Sequence, residues 1–354
     1  MMSAIVFDGS VLAVGPQTGV GESFLTTLQA YVPIAARPCV LLLPAKAVNA
    51  TELRQQIPGL HIESRLPSGR IRKRQYLRHH ARQCNAALFH SPVVALPKRL
   101  DCPSVATVHD IPWLHPELRR EPGSRWSQRL ALRQTIQSAD ALIVPSQATR
   151  EDLLQATSAL DDKIETIPHG VLWPEEEAPE TSSDRPFLVL GDARPRKNLE
   201  RLSAAHAIAK DRDVELPDLR FVGPDHGYVQ DAEKWVILRS SRALLHLATL
   251  EGFGIPVLEA LAHGIPVVCS NQTSLPEVAG DAALLVDPRN VNAIADAMIR
   301  VHRDTKLRAE LRERGRQRAQ QMTPSHSAQR WLRLHDKLIA AHKSRTLPKL
   351  MKKT

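Results

Sequence analysis

The amino-acid sequence predicts an α/β protein with two doubly wound domains, each a parallel sheet covered by helices on both faces. Its 354 residues are enough for two domains of ordinary size. Short apolar runs alternate with helical stretches along both halves of the chain, which is typical of parallel sheets. The alternation stops in the acidic, proline-bearing segment Trp173–Pro186 and then begins again. We therefore expect a first domain over 1–172, a linker over 173–186 and a second domain over 187–324.

In the first half, five apolar runs predict strands, and two stretches between them predict helices. Most of the runs are too apolar for half-exposed strands, as expected where helices cover both faces of a sheet. The predicted strands are Ala4–Phe7, Cys39–Leu43, Ala86–Phe89, Ser104–Val108 and Ala141–Val144. The predicted helices are Ser23–Tyr31 and Asn49–Gln56.

The second half repeats this pattern and then becomes helical. The predicted elements are strands over Phe187–Leu190, Leu219–Val222 and Ile265–Cys269 and a helix over Asn198–Lys210. From Val291 to about Lys343 the sequence is helical, with a break at Met322–Pro324. Residues 325–354 are expected to hold a closing helix, for which a return onto the first domain stays open, and a basic tail.

Composition excludes several classes of protein. Hydrophobic residues make up 43% and charged residues 24% of the chain, so it can bury a core and is not disordered. No apolar run approaches the roughly 18 to 20 residues of a transmembrane helix, and Met1–Asp8 lacks the basic start of a secretory signal. The four cysteines are well separated and form no CxxC pair. We therefore expect a cytoplasmic protein in a reducing compartment, without disulfides or a structural zinc site.

The net charge indicates an anionic partner. Lys and Arg number 47 against 38 Asp and Glu, which gives a formal net charge of +9. Such a charge suits nucleic acid, an acidic membrane surface or a phosphorylated small molecule. Nucleic acid is not expected, because aromatic residues that stack on bases are only 4% of the chain. The stretch Arg65–Arg82 concentrates basic residues, and a helix over Ile71–Cys84 would suit an anionic membrane surface or be a merely solvated face.

The segment Glu251–Val268 combines a glycine-bearing loop, a helix and a buried strand. Pro256 stands near the first helical position and Gly264 closes the helix. The N-terminus of such a helix attracts an anion, and a glycine-bearing loop lets a ligand approach the backbone. Glu251 and Glu259 would repel a bare phosphate, so they suit the hydroxyls of a sugar or ribose beside it.

Glu251 and Glu259 form an E-x7-E motif, and the segment around them resembles retaining glycosyltransferases of family 4. The downstream segment Ser274–Pro288 continues the resemblance. The resemblance implies the GT-B fold, in which two Rossmann-like domains face an interdomain cleft. It also implies that the first glutamate and the amides after it hold the donor sugar and that the second glutamate binds the nucleotide ribose. The residues expected to contact the donor here are Glu251, Phe253, Gly254, Ile255, Leu258 and Glu259.

A second segment, Gly191–Leu199, resembles the basic loop with which the family clamps the diphosphate of the donor. Arg196 and Lys197 are the expected catalytic cations, since they would stabilise a nucleoside diphosphate leaving group. Asp192 stands where many relatives have arginine. Arg194 is the expected substitute.

Loops in the first half match the family more weakly. A glycine-rich segment after the first strand is not a P-loop, because no Lys-Ser/Thr pair follows its glycines, but it resembles the family's glycine loop. Glu22 stands there where relatives often have arginine. Thr107–Pro112 resembles the family's His-Asp segment, in which the histidine lies beside the transferred sugar. The residues expected to act from this half are Gly19, Gly21 and His109, and the matching segments Ser146–Leu153 and Ile167–Val171 are interpreted as fold markers.

The sequence thus predicts a retaining transferase that moves a hexose from a nucleotide-diphosphate sugar to a glycan or lipid-linked acceptor, in cell-surface polysaccharide biosynthesis. Weak resemblance to mannosyltransferases favours GDP-mannose as donor, and UDP-sugars stay open. By the same resemblance no metal and no other cofactor is needed. One departure supports an alternative, because Pro224–His226 runs directly into Gly227–Val229 where relatives have a further helix and strand. The alternative is a catalytically degenerate protein that binds a sugar nucleotide or a glycan.

Overall fold

The structure is a computed structural model that describes residues 3–12, 19–45, 50–115, 125–157, 161–174, 185–227, 229 and 231–351. Within these residues it contains two separate parallel sheets, one in each half of the chain. Parts of five segments singled out from the sequence lie outside the described residues. They are 15–18 of the glycine-rich loop, Asn49 of the predicted helix Asn49–Gln56, 175–184 of the expected linker, Tyr228 of Gly227–Val229 and 352–354 of the basic tail.

The first sheet has seven described strands, all parallel, in the order β3-β2-β1-β4-β5-β6-β7. The strands are β1 Ile5–Asp8, β2 Cys39–Pro44, β3 Leu60–Leu66, β4 Leu88–Ser91, β5 Ser104–Thr107, β6 Ala141–Val144 and β7 Ile164–Thr166. The helices are α1 Gly19–Tyr31, α2 Ala50–Gln56, α3 Arg70–Gln83, α4 Arg125–Ser138 and α5 Gln147–Ala156.

The second sheet has five described strands, also parallel, in the order β12-β11-β10-β8-β9. The strands are β8 Phe187–Leu190, β9 Leu219–Val222, β10 Ala243–His246, β11 Val267–Ser270 and β12 Leu284–Val286. The helices are α6 Leu199–Arg212, α7 Asp231–Arg239, α8 Ile255–Ala262, α9 Leu275–Ala279, α10 Val291–Arg303, α11 Thr305–Gln320 and α12 Pro324–Met351.

The predicted α/β class with two parallel sheets is confirmed. In each sheet the strand order reverses beside the first strand, since β1 lies between β2 and β4 and β8 lies between β9 and β10. Such reversals open crevices at the carboxyl ends of the strands, where ligands bind in sheets of this kind. The loops after β1, β5, β8 and β10 are therefore the places where a site is expected.

Some boundaries differ from the sequence-based prediction. The strand expected at Ala86–Phe89 lies at Leu88–Ser91, and helix α1 begins four residues earlier than predicted, at Gly19. Strands β3, β7, β10 and β12 were not predicted. Strand β3 lies at the edge of the first sheet. Its residues alternate between buried and exposed because it is an edge strand, so it lacks the continuous apolar run that marks the central strands.

Helix α12 packs on the first domain rather than on the second. Its residue Trp331 is buried against Phe7 of β1, with 6.3 Å between ring centroids. The Ser327 hydroxyl donates a hydrogen bond to the carbonyl of Pro168 at 2.7 Å. At the crossing point a Cβ on Gly170 would lie 2.1 Å from the carbonyl carbon of Thr323, so only glycine allows the two segments to touch. The closing helix therefore joins the two halves of the chain.

A buried histidine on α12 makes stability depend on pH. His335 is fully buried and accepts a hydrogen bond from the Tyr31 hydroxyl at Nδ1, with 2.8 Å between the atoms. Burial lowers the pKa of His335 to about 3, against about 6.5 in the unfolded chain. Below pH 6.5 the unfolded chain therefore binds a proton that the folded chain excludes, so stability is intact above pH 6.5 and is lost as the pH falls.

We expect this histidine to lower the free energy of unfolding by about 2 kcal/mol when the pH falls from 7 to 5. His335→Gln should lower stability at pH 7, since it disturbs the contact with Tyr31, but should flatten the pH dependence by about that amount. Urea unfolding at the two pH values measures both effects. The exposed His326 of the same helix is the control, and an equal flattening in His326→Gln would contradict the assignment.

Candidate active site between the two sheets

A cavity of about 380 Å³ lies between the two halves, at the carboxyl ends of the strands. This volume is within the usual range for small-molecule sites. The first half lines it with Gly19, Val20, Glu22, His109, Asp110, Pro145 and His169. The second half lines it with Leu190, Gly191, Asp192, Arg194, Arg196, Lys197, Val222, Gly223, Pro224, Val229, Lys234, Glu251, Gly252, Phe253, Gly254, Ile255, Pro256 and Glu259.

Glu251, in the loop after β10, forms the polar centre of the second half's wall. Its carboxylate accepts hydrogen bonds from the Lys197 ammonium and, at 3.0 Å, from His246 Nε2. Burial alone would raise the pKa of Glu251, but Lys197 and His246 outweigh burial and hold this pKa well below its usual range. For His246, burial has the opposite effect and lowers the pKa of the imidazole. Glu251 is therefore an ionised acceptor, held in place by a lysine and a neutral histidine.

The predicted basic loop does bring its cations to the cavity, and each of them contacts a carboxylate. Arg196 is buried and its Nη1 donates to Asp110 of the first half at 2.6 Å. Arg194 is more exposed, and its Nε donates to Asp192 at 2.8 Å. Solvent reaches 44% of the Arg194 side chain but only 9% of Arg196 and 12% of Lys197, so the charge of Arg194 is the most strongly screened by water. Lys197 and Arg196 are the cations best placed to meet an anion.

His109 and a second histidine form an aromatic wall opposite this loop. His109 Nε2 donates to the carbonyl of Pro92 at 2.8 Å, and its ring stacks on His169 with 5.4 Å between centroids. The His169 ring meets Phe253 edge to face at 5.2 Å. Burial lowers the pKa of His109, and lowers that of His169 to about 3. Both rings are neutral at neutral pH. His109 can therefore accept a hydrogen bond from a hydroxyl group at Nδ1, but it adds no positive charge to the cavity.

His169 was interpreted from the sequence as part of a fold marker, whereas the structure places it in the cavity wall. The available signal was its position in the loop after β7, at the carboxyl end of a parallel strand. His246 was also missed. It is the last residue of β10 and its side chain is buried, so it has the pattern of a core residue.

Glu259 and Glu22 share a lysine that sequence analysis did not identify. Glu259 is buried in α8 and accepts a hydrogen bond from Lys234 Nζ at 2.9 Å. The same ammonium lies 3.2 Å from both carboxylate oxygens of Glu22 in the first half. It also lies 4.0 Å from the centre of the Trp235 ring. Lys234 thus links the expected ribose-binding glutamate to the opposite domain.

We expect Lys234→Met to loosen the closed arrangement of the two halves. The change leaves the neighbouring carboxylates of Glu22 and Glu259 without their shared ammonium, and removing one partner from a buried ion pair costs about 3 kcal/mol. Urea unfolding and small-angle scattering of the ligand-free protein measure the effect. A Lys234→Met, Glu22→Gln double variant should recover part of the loss. Unchanged stability and dimensions in the single variant would contradict this role.

Gly252 is the point at which the two domains touch beside the cavity. A Cβ on this residue would lie 1.8 Å from the carbonyl oxygen of His109, so no larger residue fits the closed form. The carbonyl of Gly252 accepts hydrogen bonds from the hydroxyls of Ser146 at 2.7 Å and Thr149 at 3.0 Å. Nearby, the Glu277 carboxylate accepts two backbone N–H groups at the start of α5, both at 2.7 Å. The Ser146–Leu153 segment therefore docks the domains.

Two of the residues expected to bind the donor do not line the cavity. Gly21 is on the buried face of α1, and Leu258 is buried in the apolar core of the second domain. Helix α8 turns Ile255 and Glu259, four residues apart, toward the cavity and Leu258 away from it. Gly254 begins this helix with a φ of 103°, a left-handed conformation that favours glycine. The remaining site residues expected from the sequence all line the cavity.

The short connection after β9 forms one wall of the site. Gly223 pairs with Gly227 in an isolated antiparallel bridge, and helix α7 begins at Asp231. Among the described residues no further helix or strand stands between β9 and α7. Gly223, Pro224 and Val229 line the cavity there. The shortened segment therefore brings α7, with Lys234, to the edge of the site.

Comparisons with known proteins agree with this geometry. Residues 42–171 match the family model described as Glycosyltransferase Family 4, and residues 225–318 match the one described as Glycosyl transferases group 1. The chain belongs to glycosyltransferase family 4. As a family 4 glycosyltransferase it is a transferase enzyme.

A relative of this glycosyltransferase is the O-antigen chain mannosyltransferase B of Escherichia coli, 28% identical over 277 residues, which are 67% of this chain and 70% of the relative. Solved structures share the GT-B fold. The sucrose-phosphate synthase of Thermosynechococcus elongatus superposes with a TM-score of 0.77 at 17% identity, over 96% of this chain and all of that one. Anabaena HepE, in complex with UDP and glucose, superposes over the same shares with a TM-score of 0.71 at 17% identity.

Proposed function

We propose that this glycosyltransferase moves a hexose from a nucleotide-diphosphate sugar to a glycan or lipid-linked acceptor, in cell-surface polysaccharide biosynthesis. The observation that carries the proposal is the cluster of Glu251, Lys197 and Arg196 on one wall of the interdomain cavity. A carboxylate held by a lysine suits sugar hydroxyls, and two cations beside it suit a diphosphate.

GDP-mannose is the donor that we place first, and UDP-sugars are the alternative. The similarity to an O-antigen chain mannosyltransferase supports mannose and an O-antigen-like product. The structural neighbour in complex with UDP and glucose supports a UDP-sugar as the alternative donor. The nucleotide ribose would lie at Glu259, with Lys234 moving toward Glu22 as the hydroxyls take its place.

The charge of the leaving diphosphate would be offset by this chain's own groups. Lys197 and Arg196 supply two positive charges, and the N-terminus of α8 adds a partial one at Gly254. We therefore propose transfer without a metal ion, and a chelator should leave the rate unchanged. We further propose retention, with attack on the face that the diphosphate leaves. Glu251 then binds a sugar hydroxyl rather than acting as nucleophile, since its charge is already engaged by Lys197 and His246.

A basic surface on the first domain supports an acceptor at an anionic membrane. Helix α3 exposes Ile71 at 74%, and the neighbouring α4 exposes Trp126 at 75%. Arg74 Nη1 donates to Gln134 Oε1 at 2.9 Å and joins the two helices. Leu77 points into the core instead. No described helix is both long and apolar enough to span a bilayer, and we propose that α3 and α4 hold the enzyme peripherally through basic side chains and an interfacial tryptophan.

A thermal-shift screen against GDP, UDP, ADP and their sugar conjugates tests the proposed donor site. A ligand that binds only the folded state raises its stability, so the cognate nucleotide should raise Tm. Glu259→Ala should abolish the shift, because the ribose loses its acceptor.

Asp296→Ala is the control, since Asp296 pairs with Arg212 on the surface of the second domain. It should keep the full shift. If no nucleotide shifts the folded wild type, the donor site as proposed is wrong. If one shifts it but its sugar conjugate is never consumed with any acceptor, the degenerate binding protein is the better account.

A further inference from the structure

A second cluster of reactive side chains lies away from the cavity, where α3 packs on edge strand β3. Glu63 belongs to β3, His80 lies in the last turn of α3, and Cys84 caps this helix. One ligand atom from each residue, a carboxylate oxygen, a ring nitrogen and a sulfur, all lie within 4.8 Å of one another. None of the three lines the interdomain cavity.

Local geometry explains why these residues meet. His80 and Cys84 are four residues apart, so they stand on one face of the helical turn. His61 and Glu63 are two residues apart in a strand, so they share one face of β3. The cysteines form no CxxC pair, so no structural zinc site is expected from the sequence. His80 and Cys84 instead form a His-x3-Cys pattern at the C-terminal end of a helix.

The polar contacts inside the cluster are incomplete. His80 Nδ1 is buried and has no hydrogen-bond partner among the described residues, although Glu63 Oε2 lies only 2.9 Å from it. Metal–ligand bonds of about 2.0–2.3 Å place neighbouring ligand atoms roughly 3–4 Å apart. The ring nitrogen and the carboxylate oxygen are 2.9 Å apart and the sulfur lies within 4.8 Å of both, so a small movement of the side chains would let the three atoms share a cation.

A fourth ligand is within reach. His61 Nε2 lies 3.6 Å from Glu63 Oε1, and the His61 side chain is 67% exposed. Glu63 and His80 are partly exposed as well, so an ion has a path from solvent. A thiolate and a carboxylate carry two negative charges, which would neutralise a divalent cation in a part of the chain rich in arginine.

We propose that Glu63, His80 and Cys84 bind one Zn²⁺ ion, with His61 or a water molecule as the fourth ligand. Nitrogen and sulfur ligands favour zinc over Mg²⁺ or Ca²⁺, which prefer oxygen. The ion would clip the C-terminal end of α3 to the edge of the first sheet. The site is independent of the sugar-transfer proposal, because it shares no residue with the cavity.

Cobalt(II) substitution tests the site directly on the full-length protein. Metal-free protein titrated with Co²⁺ should develop a thiolate-to-cobalt absorption band and visible bands of tetrahedral cobalt, saturating at one equivalent and displaced by Zn²⁺. Cys84→Ser should abolish the thiolate band, and His80→Ala should weaken binding at least ten-fold. His79→Ala, at an exposed neighbour on the same helix, is the matched control and should behave as wild type.

Two results would overturn the proposal. One is the absence of stoichiometric uptake at micromolar Co²⁺ or Zn²⁺ by folded wild type. The other is a thiolate band that persists in Cys84→Ser, or an affinity that is the same in His80→Ala and His79→Ala. Circular dichroism of each variant confirms that it is folded, and Zn²⁺ should raise the Tm of wild type but not of Cys84→Ser.

Discussion

Lys197→Ala is expected to lower the rate of sugar transfer at saturating donor by about a hundred- to a thousand-fold. The Lys197 ammonium stands at the cavity beside Glu251 and is the cation best placed to stabilise the charge that develops on the leaving diphosphate. Removal of one preorganised group of this kind costs about 10²–10³ in kcat. The same change frees Glu251 from its strongest partner, so sugar binding should also weaken. Steady-state kinetics that separate kcat from KM measure the two effects.

Arg194→Ala is the matched control for that experiment. Arg194 belongs to the same loop and lines the same cavity, but its side chain is 44% exposed whereas that of Lys197 is 12% exposed, so water screens its charge more strongly. A smaller effect is expected, mainly on KM. If Lys197→Ala lowers kcat no more than Arg194→Ala does, the assignment of Lys197 to the leaving group is wrong.

Gly252→Ala is expected to lower transfer at least about a hundred-fold without unfolding either domain. The new Cβ would lie 1.8 Å from the His109 carbonyl oxygen, so the two halves must move apart. Misplacement by about 1 Å is enough to cost about a hundred-fold in rate. Because Ser146 and Thr149 donate to the Gly252 carbonyl, the change should also weaken docking of the domains. Kinetics and small-angle scattering together measure the loss.

Gly19→Ala provides the comparison at the same interface. Its Cβ would lie 3.3 Å from the tip of the Ile255 side chain, which can shift. We expect a much smaller loss of activity and unchanged dimensions. Equal losses of activity in both variants would mean that the close contact at Gly252 does not limit activity more than the looser one at Gly19. Normal activity in Gly252→Ala would mean that the closed form is not the active one.

The residues that sequence could identify share one property, which is that they lie in loops after buried parallel strands. Lys197 follows β8 and His109 follows β5, and the apolar run before each one indicates where the chain reaches the crevice. Glu251 follows β10, which was not predicted, and was identified from the E-x7-E motif instead. The spacing of Glu251 and Glu259 also fixes their relation across the start of α8. Local patterns were sufficient for this part of the site.

The contacts between the two halves could not be predicted from local patterns. Lys234 meets Glu22 only because the domains face each other, and no residue near Lys234 in the sequence signals that contact. Leu258, expected from the matching motif, has its side chain in the apolar core of the second domain, so its contact with the donor stays a prediction. Strand β3 was missed because an edge strand lacks the apolar run of a central one. The missed contacts come from tertiary geometry. Three of the four missed strands, β3, β7 and β12, are edge strands, and the fourth, β10, is central.

The most direct test of the account is nucleoside diphosphate release from the nucleotide sugar that stabilises the wild type. Wild type and Lys197→Ala would be compared at the same saturating donor concentration, with membrane lipid extract as acceptor source. The wild type should release the diphosphate, and Lys197→Ala should release it at least about a hundred-fold more slowly. Equal rates in the two proteins, or tight binding by the wild type with no release at all, would contradict catalysis at the cavity between the two sheets.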